Sequence, residues 1–284
     1  MVIDSHQHFW QYDGARHAWI TDEMAAIRRD FLPADYEAEC VANGVDAAVL
    51  VQVEQTEAET EFLLDLAEQY QRVAAVVGWV DLRSAELPRR LEQFSQYKKL
   101  RGFRHIAQAE ADERFLVQPA FLNGVRQLCE FGWHYEILIY PKQLPAAVEL
   151  AARLPEQPFV LNHLAKPFIK MRTLEPWAAH LRTLAENPNV YCKLSGMVVE
   201  ADWQQWRAAD FRPYLDVAFE AFGPERLMFG SDWPVCLLAA SYAQVKQLLE
   251  DYVDTHAPQH KEKIFGGNAA RFYRVEAAHY GLAA

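Results

Sequence analysis

The chain has little of several features that mark whole classes of proteins. Its 284 residues contain only four cysteines, and these are scattered without metal-site spacing: Cys40, Cys129, Cys192 and Cys236. We therefore expect reduced, mostly buried thiols in a cytoplasmic protein rather than a disulfide scaffold. No apolar run reaches the ~20 residues that a membrane helix requires, and no signal peptide is visible. The sequence predicts no contact with a membrane.

Positive charge is scarce as well. The chain has 28 Lys and Arg against 39 Asp and Glu, which gives a formal net charge of −11. Phosphate backbones are repelled by such a chain, and no cluster of basic residues offsets the repulsion, so nucleic acid is not an expected partner. Hydrophobic residues make up 51% of the sequence, enough for a large core.

Eight strand-like apolar runs alternate with helix-like stretches along the whole chain. Strict alternation of this kind predicts a parallel sheet, and eight repeats predict closure into a (β/α)8 TIM barrel of the α/β class. One such barrel typically needs roughly 250 residues. We therefore expect a single domain over residues 1–284, with a further short helix near residues 268–273 on the outside of the barrel.

Three of the predicted strands end in residues that can bind a metal ion or move a proton. These strand ends read Asp4-Ser5-His6-Gln7-His8, Val160-Leu161-Asn162-His163 and Phe229-Gly230-Ser231-Asp232. In a barrel of this type the C-terminal strand ends meet at one mouth, where active sites lie. A core histidine or a loop-capping aspartate would explain each residue alone. The combination of His6, His8, His163 and Asp232 favours a functional site.

The motifs resemble the amidohydrolase superfamily, whose barrels carry His-x-His on the first strand and an aspartate on the eighth. Further segments, spread over nearly the whole chain, are similar to the lactonase branch of that superfamily. They are Asp4-Ser5-His6-Gln7-His8-Phe9-Trp10, Arg101-Gly102-Phe103-Arg104-His105, Asn162-His163-Leu164-Ala165-Lys166-Pro167, Lys193-Leu194-Ser195-Gly196, Gly230-Ser231-Asp232-Trp233-Pro234 and Phe265-Gly266-Gly267-Asn268-Ala269.

The resemblance implies a metal-dependent-hydrolase-like barrel that opens a small sugar-acid lactone, such as L-fucono- or L-rhamnonolactone, in carbohydrate catabolism. We expect Asp232 to be the general base and the three histidines to polarise the lactone carbonyl. The histidines would do so directly, or as ligands, together with Asp232, of one divalent metal ion, with zinc favoured. The fourth strand lacks a lysine at its tip and the only histidine of the fifth, His134, is at the wrong end, which argues against a two-metal site.

Polar residues on other strands, and the aromatic residue after the base, are predicted to bind the substrate: Arg104, His105, Glu136, Lys193 and Trp233. Structural roles compete with this interpretation. Arg104 could pair with Glu136 inside the barrel, and Lys193 could brace a loop. In the aromatic loop after the first strand, at least one of Trp10 and Trp19 is expected to be core.

Two other functions stay open at this point. The same residue set occurs in mononuclear zinc decarboxylases of the superfamily, and a barrel could also bind a sugar without turning it over. We place the lactonase first, because an ionisable cluster of this kind is expensive to retain in a protein that only binds.

Overall fold

Eight short buried segments form the parallel strands of a barrel in the computed structural model, which describes residues 1–276. The strands are β1 Ile3–Gln7, β2 Ala47–Val51, β3 Val73–Gly78, β4 Leu100–His105, β5 His134–Ile137, β6 Phe159–Leu161, β7 Val190–Leu194 and β8 Leu227–Phe229. They pair in sequence order from β1 to β8, and the predicted (β/α)8 barrel is confirmed. The last residues of the expected domain, 277–284, lie outside the described residues.

Helices connect consecutive strands and surround the barrel. They are α1 Pro33–Asn43, α2 Glu57–Gln69, α3 Leu87–Phe94, α4 Pro119–Glu130, α5 Leu144–Arg153, α6 Trp177–Ala185, α7 Ala208–Phe222 and α8 Tyr242–His256, with α9 Asn268–Tyr273 following the last of them. α1 ends at Gly44, which has the left-handed conformation (φ +62°) typical of a helix C-terminus. Within residues 1–276, none of the helices is both long and apolar enough to cross a membrane.

The seam between β8 and β1 is closed by the segment that follows β8. The backbone N–H of Asp232 donates to the carbonyl oxygen of His6, and that of His8 donates to Trp233, both at 2.8 Å. Barrel closure therefore places Asp232 directly against the two histidines of β1.

Alternate residues of each strand face opposite sides of the sheet. One set packs against the surrounding helices. The other set faces the barrel interior and forms a separate apolar cluster of Ile3, Ala47, Val49, Val51, Ala75, Val77, Val160 and Met228. Strands β4, β5 and β7 instead contribute polar interior side chains, which lie below the mouth of the barrel.

The expectation that the last short helix packs on the outside of the barrel is wrong. Ala269 and Tyr273 of α9 belong to the interior apolar cluster, and the Tyr273 ring lies 4.9 Å from the ring of His134, at the start of β5. α9 therefore covers the barrel at the end opposite the mouth. A six-residue helix is too short to carry a periodicity that separates an outer position from this one.

Candidate active site at the barrel mouth

Four ionisable side chains meet at the C-terminal end of the barrel. His6 and His8 come from the end of β1, His163 follows β6, and Asp232 follows β8. Oδ1 of Asp232 lies 3.8 Å from Nε2 of His6, 3.4 Å from Nε2 of His8 and 3.7 Å from Nε2 of His163. The structure thus brings together the four residues that the sequence predicts as the catalytic centre.

Left-handed backbone conformations carry two of these residues into the mouth. φ is +52° at His163, stays positive through Lys166, and is +59° at Asp232. Such conformations cost a non-glycine residue about 1–3 kcal/mol and persist where the surrounding structure imposes them. β6 and β8 consequently end earlier than the sequence predicts, at Leu161 and Phe229, and the site residues lie on the turns that follow.

Asp4 ties β1 to the turn that carries Asp232. Its Oδ1 accepts from the backbone N–H of His6 at 3.1 Å and of Ser231 at 2.8 Å. Its Oδ2 accepts from the hydroxyls of Tyr36 and Tyr242 at 2.8 and 2.9 Å. Sequence reasoning assigns Asp4 no role, although its place beside the His-x-His motif is the signal for one.

Hydrogen bonds hold the rings of His8 and His6 in place. Nδ1 of His8 donates to the carbonyl oxygen of Val51 at 2.7 Å, which turns its Nε2 toward the cluster. Nζ of Lys193 lies 3.2 Å from Nδ1 of His6 and Nη1 of Arg104 lies 3.3 Å from its Nε2, so each ring nitrogen of His6 faces a cationic donor. Nε2 of His6 also lies 3.2 Å from Nε2 of His8.

Burial keeps the imidazoles of His6 and His163 neutral. It lowers the pKa of His163 to about 3 and, together with Lys193, holds the pKa of His6 well below its ordinary value. Burial alone would raise the pKa of Asp232, but His163 and His8 outweigh it and the pKa lies below the ordinary value. Asp232 is therefore an ionised carboxylate, the form that can accept a proton.

A cavity of about 310 Å³ opens over this cluster. Ligand pockets in proteins measure roughly 300–1,000 Å³, so this one suits a single small molecule. Its polar lining consists of His8, Arg104, Gln108, His163, Lys166 and Asp232, and its apolar lining of Trp19, Val53, Ile106, Ala109, Leu138 and Val235.

The two tryptophans of the long loop after β1 have different surroundings. Trp19 is 40% exposed and lines the cavity. Trp10 is buried, with its ring 5.5 Å from that of Phe31. One tryptophan is therefore core, as expected, and the other forms part of the wall.

Arg104 lines the cavity, whereas Glu136 and Lys193 lie fully buried beneath it. Glu136 pairs with Lys193, whose Nζ lies 2.7 and 2.8 Å from the two carboxylate oxygens. Asn162 separates this pair from Arg104: its Oδ1 accepts from Nη1 of Arg104 at 3.1 Å and its Nδ2 donates to Glu136 at 2.8 Å. The Arg104–Glu136 ion pair considered from the sequence is therefore replaced by a Lys193–Glu136 pair, and Lys193 braces no loop.

Two residues predicted to bind substrate lie away from the cavity. His105 faces the helices, where its Nε2 is 2.7 Å from Oε1 of Glu110 and its ring stacks 4.8 Å from that of Phe115. Trp233 is buried with its ring 5.2 Å from the ring of Phe31. For His105 the reason is strand geometry, since its neighbour Arg104 faces the interior.

Two polar residues of the cavity wall, Lys166 and Gln108, are absent from the predicted set. Nζ of Lys166 lies 3.9 Å from Oε1 of Glu200 and 5.4 Å from the centre of the Tyr140 ring. Lys166 belongs to the same motif as His163, and that position is the signal that points to it. Gln108 lies on the loop after β4, whose course the sequence does not reveal.

The cluster also fits a single divalent metal ion. The potential ligand atoms of His6, His8 and Asp232 all lie within 4.8 Å of one another. Two imidazoles and a carboxylate are a common protein ligand set for zinc, and a backbone carbonyl such as that of Val51 usually fixes the outer nitrogen of a ligating ring. For His6 to bind an ion through Nε2, the proton of the ring must be on Nδ1, the atom that faces the ammonium group of Lys193.

Comparison with known proteins places the chain in a family. It matches the amidohydrolase family over residues 3–275. The chain belongs to the amidohydrolase family. It is 45% identical to an L-fucono-1,5-lactonase of Burkholderia multivorans and 37% identical to one of Burkholderia ambifaria, each over 96% of both chains.

A solved amidohydrolase structure has the same fold. The crystal structure of an amidohydrolase from Burkholderia multivorans with bound zinc is 44% identical in sequence and has a TM-score of 0.93. The match covers 97% of this chain and 100% of that one. The fold and the family predicted from the sequence are therefore confirmed.

Proposed function

We propose that this amidohydrolase is a lactonase that hydrolyses a sugar-acid lactone, with L-fucono-1,5-lactone as the first candidate substrate. The observation that carries the proposal is the full-length similarity to two L-fucono-1,5-lactonases. The site is in accord with it, because a carboxylate and three imidazoles adjoin a cavity of small-molecule size.

Asp232 is the proposed general base. A water molecule within hydrogen-bond reach of its carboxylate loses a proton to Asp232 as the water oxygen bonds to the lactone carbonyl carbon. The ring C–O bond then breaks, and the proton passes from Asp232 to the departing alkoxide oxygen. The product is an open-chain hydroxy acid, which ionises and releases one proton to the solvent near neutral pH.

The imidazoles are proposed to stabilise the oxyanion that forms on the carbonyl. Nε2 of His6 lies 3.8 Å from Asp232 and would carry the proton that it donates to the oxyanion, and His163 lines the same cavity. Each contact of this kind contributes about 10²–10³ to turnover. A zinc ion held by His6, His8 and Asp232 would add Lewis-acid polarisation of the carbonyl and a more acidic water molecule.

His163 depends on two neighbours for this role. Its Nδ1 lies 2.9 Å from Oγ of Ser195, which fixes the orientation of the ring. A Cβ on Gly196 would lie 2.5 Å from the same Nδ1, so the ring occupies the space that a side chain would fill. Ser195 and Gly196 therefore support the ring from behind.

Arg104, Lys166 and Gln108 are proposed to bind the hydroxyls and the carbonyl-side oxygens of the lactone. All three line the cavity, and the ammonium group of Lys166 has a loose ion pair with Glu200 at 3.9 Å. The apolar wall that includes Trp19 suits the C–H surface of a sugar ring. His105, Glu136, Lys193 and Trp233 are assigned no direct contact with substrate.

The remaining parts of the proposal concern the whole protein. We propose one catalytic domain that acts in the cytoplasm on a small diffusible lactone. All four cysteines are unpaired, which accords with a reducing compartment.

Two other functions make different predictions. A mononuclear zinc decarboxylase would release carbon dioxide from an aromatic or unsaturated acid and leave lactones intact. A barrel that only binds sugars would bind lactones without turnover, and Asp232→Asn would leave that binding unchanged. Neither has support comparable to the relatives above.

A screen of aldonolactones with a pH indicator tests the proposed function. Ring opening releases a proton whatever the sugar, so one weakly buffered assay covers fucono-, rhamnono-, galactono- and gluconolactones. We expect the fastest acidification with a 6-deoxy lactone, well above the spontaneous rate. Acidification at the spontaneous rate for every lactone would refute the proposal.

A further inference from the structure

A buried chain of hydrogen bonds connects His6 to the opposite end of the barrel. Nζ of Lys193 lies 3.2 Å from Nδ1 of His6 and 2.7 and 2.8 Å from the two carboxylate oxygens of Glu136. Oε1 of Glu136 in turn accepts from the hydroxyl of Tyr273 at 2.7 Å. We refer to Tyr273, Glu136 and Lys193 as the axial chain.

Every member of the axial chain is fully buried, and none of them lines the cavity. Burial alone would raise the pKa of Glu136, but the ammonium group of Lys193 holds it well below the ordinary value. The axial chain is therefore an ion pair with its carboxylate toward Tyr273 and its ammonium group toward His6. It contacts the histidine cluster through Nδ1 of His6, and Asn162 links Glu136 to Arg104 of the cavity wall.

A hydrogen bond and close backbone packing fix the position of α9, which carries Tyr273 to Glu136. Asn268, at the start of α9, donates to the carbonyl oxygen of Leu227 in β8 at 2.7 Å. Gly266 allows the preceding segment to approach the chain start, since a Cβ there would lie 2.0 Å from the carbonyl oxygen of Met1. The motif Phe265-Gly266-Gly267-Asn268-Ala269, which has no part in the chemistry, thus fixes α9 under the barrel.

We propose that Tyr273 is a positioning residue of the active site, acting from the far end of the barrel through Glu136 and Lys193 on His6. The proposal rests on the proposed function only for its kinetic consequence. The effect on His6 as a metal ligand is independent of which substrate the enzyme takes.

The effect passes along hydrogen bonds. Oε1 of Glu136 accepts from the Tyr273 hydroxyl and from Lys193, with Nε2 of His134 at 3.5 Å, and the Lys193 ammonium group also lies 5.4 Å from the centre of the Tyr273 ring. Removal of the hydroxyl strengthens the attraction of Oε1 for Lys193, which is drawn toward the carboxylate and away from Nδ1 of His6. The His6 ring then loses a partner that holds its orientation. Loss of an outer partner of a site residue typically costs 10–100-fold in activity.

The experiment compares Tyr273→Phe with Tyr252→Phe. Tyr252 is a matched control, because its hydroxyl also donates to a carboxylate at 2.7 Å, that of Asp216, but on the outer surface between α8 and α7. For each purified variant we would measure kcat and KM on the best lactone, the Kd for Zn²⁺ alone by competition with a chromophoric chelator, and Tm.

We expect Tyr273→Phe to lower kcat at least about tenfold, to change KM less than about twofold, and to change the Kd for Zn²⁺ at least about threefold, because the displaced His6 ring is also a candidate ligand. Tyr252→Phe should leave all three constants unchanged, whatever its effect on Tm. A purely structural role for Tyr273 would lower Tm and leave kcat per folded enzyme and the zinc Kd intact, and that result overturns the proposal. A wild type without lactonase activity would refute the proposed function, while the zinc titration would still decide this one.

A second experiment tests whether the effect passes through Glu136 and Lys193. It does not depend on the folding of Tyr273→Phe alone. Glu136→Gln with Lys193→Met removes both charges of the buried pair together, which avoids an unpaired buried ion. This double variant should itself lose kcat and change the Kd for Zn²⁺ with KM retained, and adding Tyr273→Phe should then have less than about a twofold effect. Unchanged constants in the double variant, or a full additional loss on adding Tyr273→Phe, would contradict an action through the axial chain.

Discussion

His163 and Gly196 are packed so closely that a Cβ on the glycine would lie 2.5 Å from Nδ1 of the imidazole. Gly196 also has φ +63°, so it meets two conditions that only glycine satisfies without strain. The contact couples the loop after β7 to a residue of the candidate site on the turn after β6.

Gly196→Ala is expected to displace His163 and lower kcat about 10²-fold or more, because the ring no longer faces the carbonyl. Gly44→Ala is the matched control: φ there is +62°, and nothing lies within 4 Å of the added Cβ. Both variants should lose about 1–3 kcal/mol of stability from the strained backbone. Steady-state kinetics and thermal unfolding separate the two effects, and equal kcat values in both variants would argue against a catalytic His163.

Lys166→Met is expected to raise KM by roughly 10–100-fold, the equivalent of one hydrogen bond to a charged donor, with a smaller effect on kcat. The side chain lines the cavity and is only 18% exposed. Lys170→Met, on the same loop but with a side chain 67% exposed, should leave KM unchanged. Michaelis–Menten curves for the three proteins decide the point, and a wild-type KM in Lys166→Met would remove Lys166 from the substrate site.

Zn²⁺ is expected to bind with a stoichiometry of one per chain, and His8→Gln should weaken that binding at least about tenfold. The reason is that the hydrogen bond from Nδ1 of His8 to Val51 turns Nε2 toward Asp232, 3.4 Å away, where both atoms could be ligands of one ion. His256→Gln, on the exposed last turn of α8, provides the control. Calorimetric titration of the chelator-treated protein gives both values. Identical zinc affinities in His8→Gln and the control would place the ion elsewhere.

His105→Gln is expected to lower Tm but to leave kcat and KM within about twofold of wild type. His105 accepts from Nε1 of Trp79 at 3.3 Å and packs on Phe115, outside the cavity. Arg104→Met, one residue earlier, should raise KM instead, because the guanidinium lines the cavity. A strong kinetic effect of His105→Gln combined with none of Arg104→Met would reverse this assignment.

The barrel and the central cluster of the candidate site could be predicted, because both depend on local sequence patterns. Apolar runs alternating with amphipathic stretches suffice for eight parallel strands, and the topology of such a barrel brings strand ends together without further information. The order of residues along the chain was therefore enough to predict the candidate cluster of His6, His8, His163 and Asp232.

The sequence could not predict the role of residues whose position depends on a side-chain direction or on a distant contact. Arg104 and His105 are neighbours on β4, and strand geometry allows only one of them to face the interior, but the sequence does not show which one. Lys166 reaches the cavity because four consecutive residues adopt positive φ, a conformation with no signature in those side chains. Tyr273 meets Glu136 across 137 positions of sequence, through a helix too short to show a pattern.

The central claim is that the carboxylate of Asp232 removes the proton of the attacking water, and the most direct measurement is the turnover of L-fucono-1,5-lactone by wild type and by Asp232→Asn. Both proteins would be followed by pH indicator, with folding checked by Tm and substrate binding by KM. The account predicts rapid ring opening by the wild type and a kcat reduced by at least about 10²–10³ in the variant, with the fold retained. A folded Asp232→Asn that opens the lactone at the wild-type rate would contradict it.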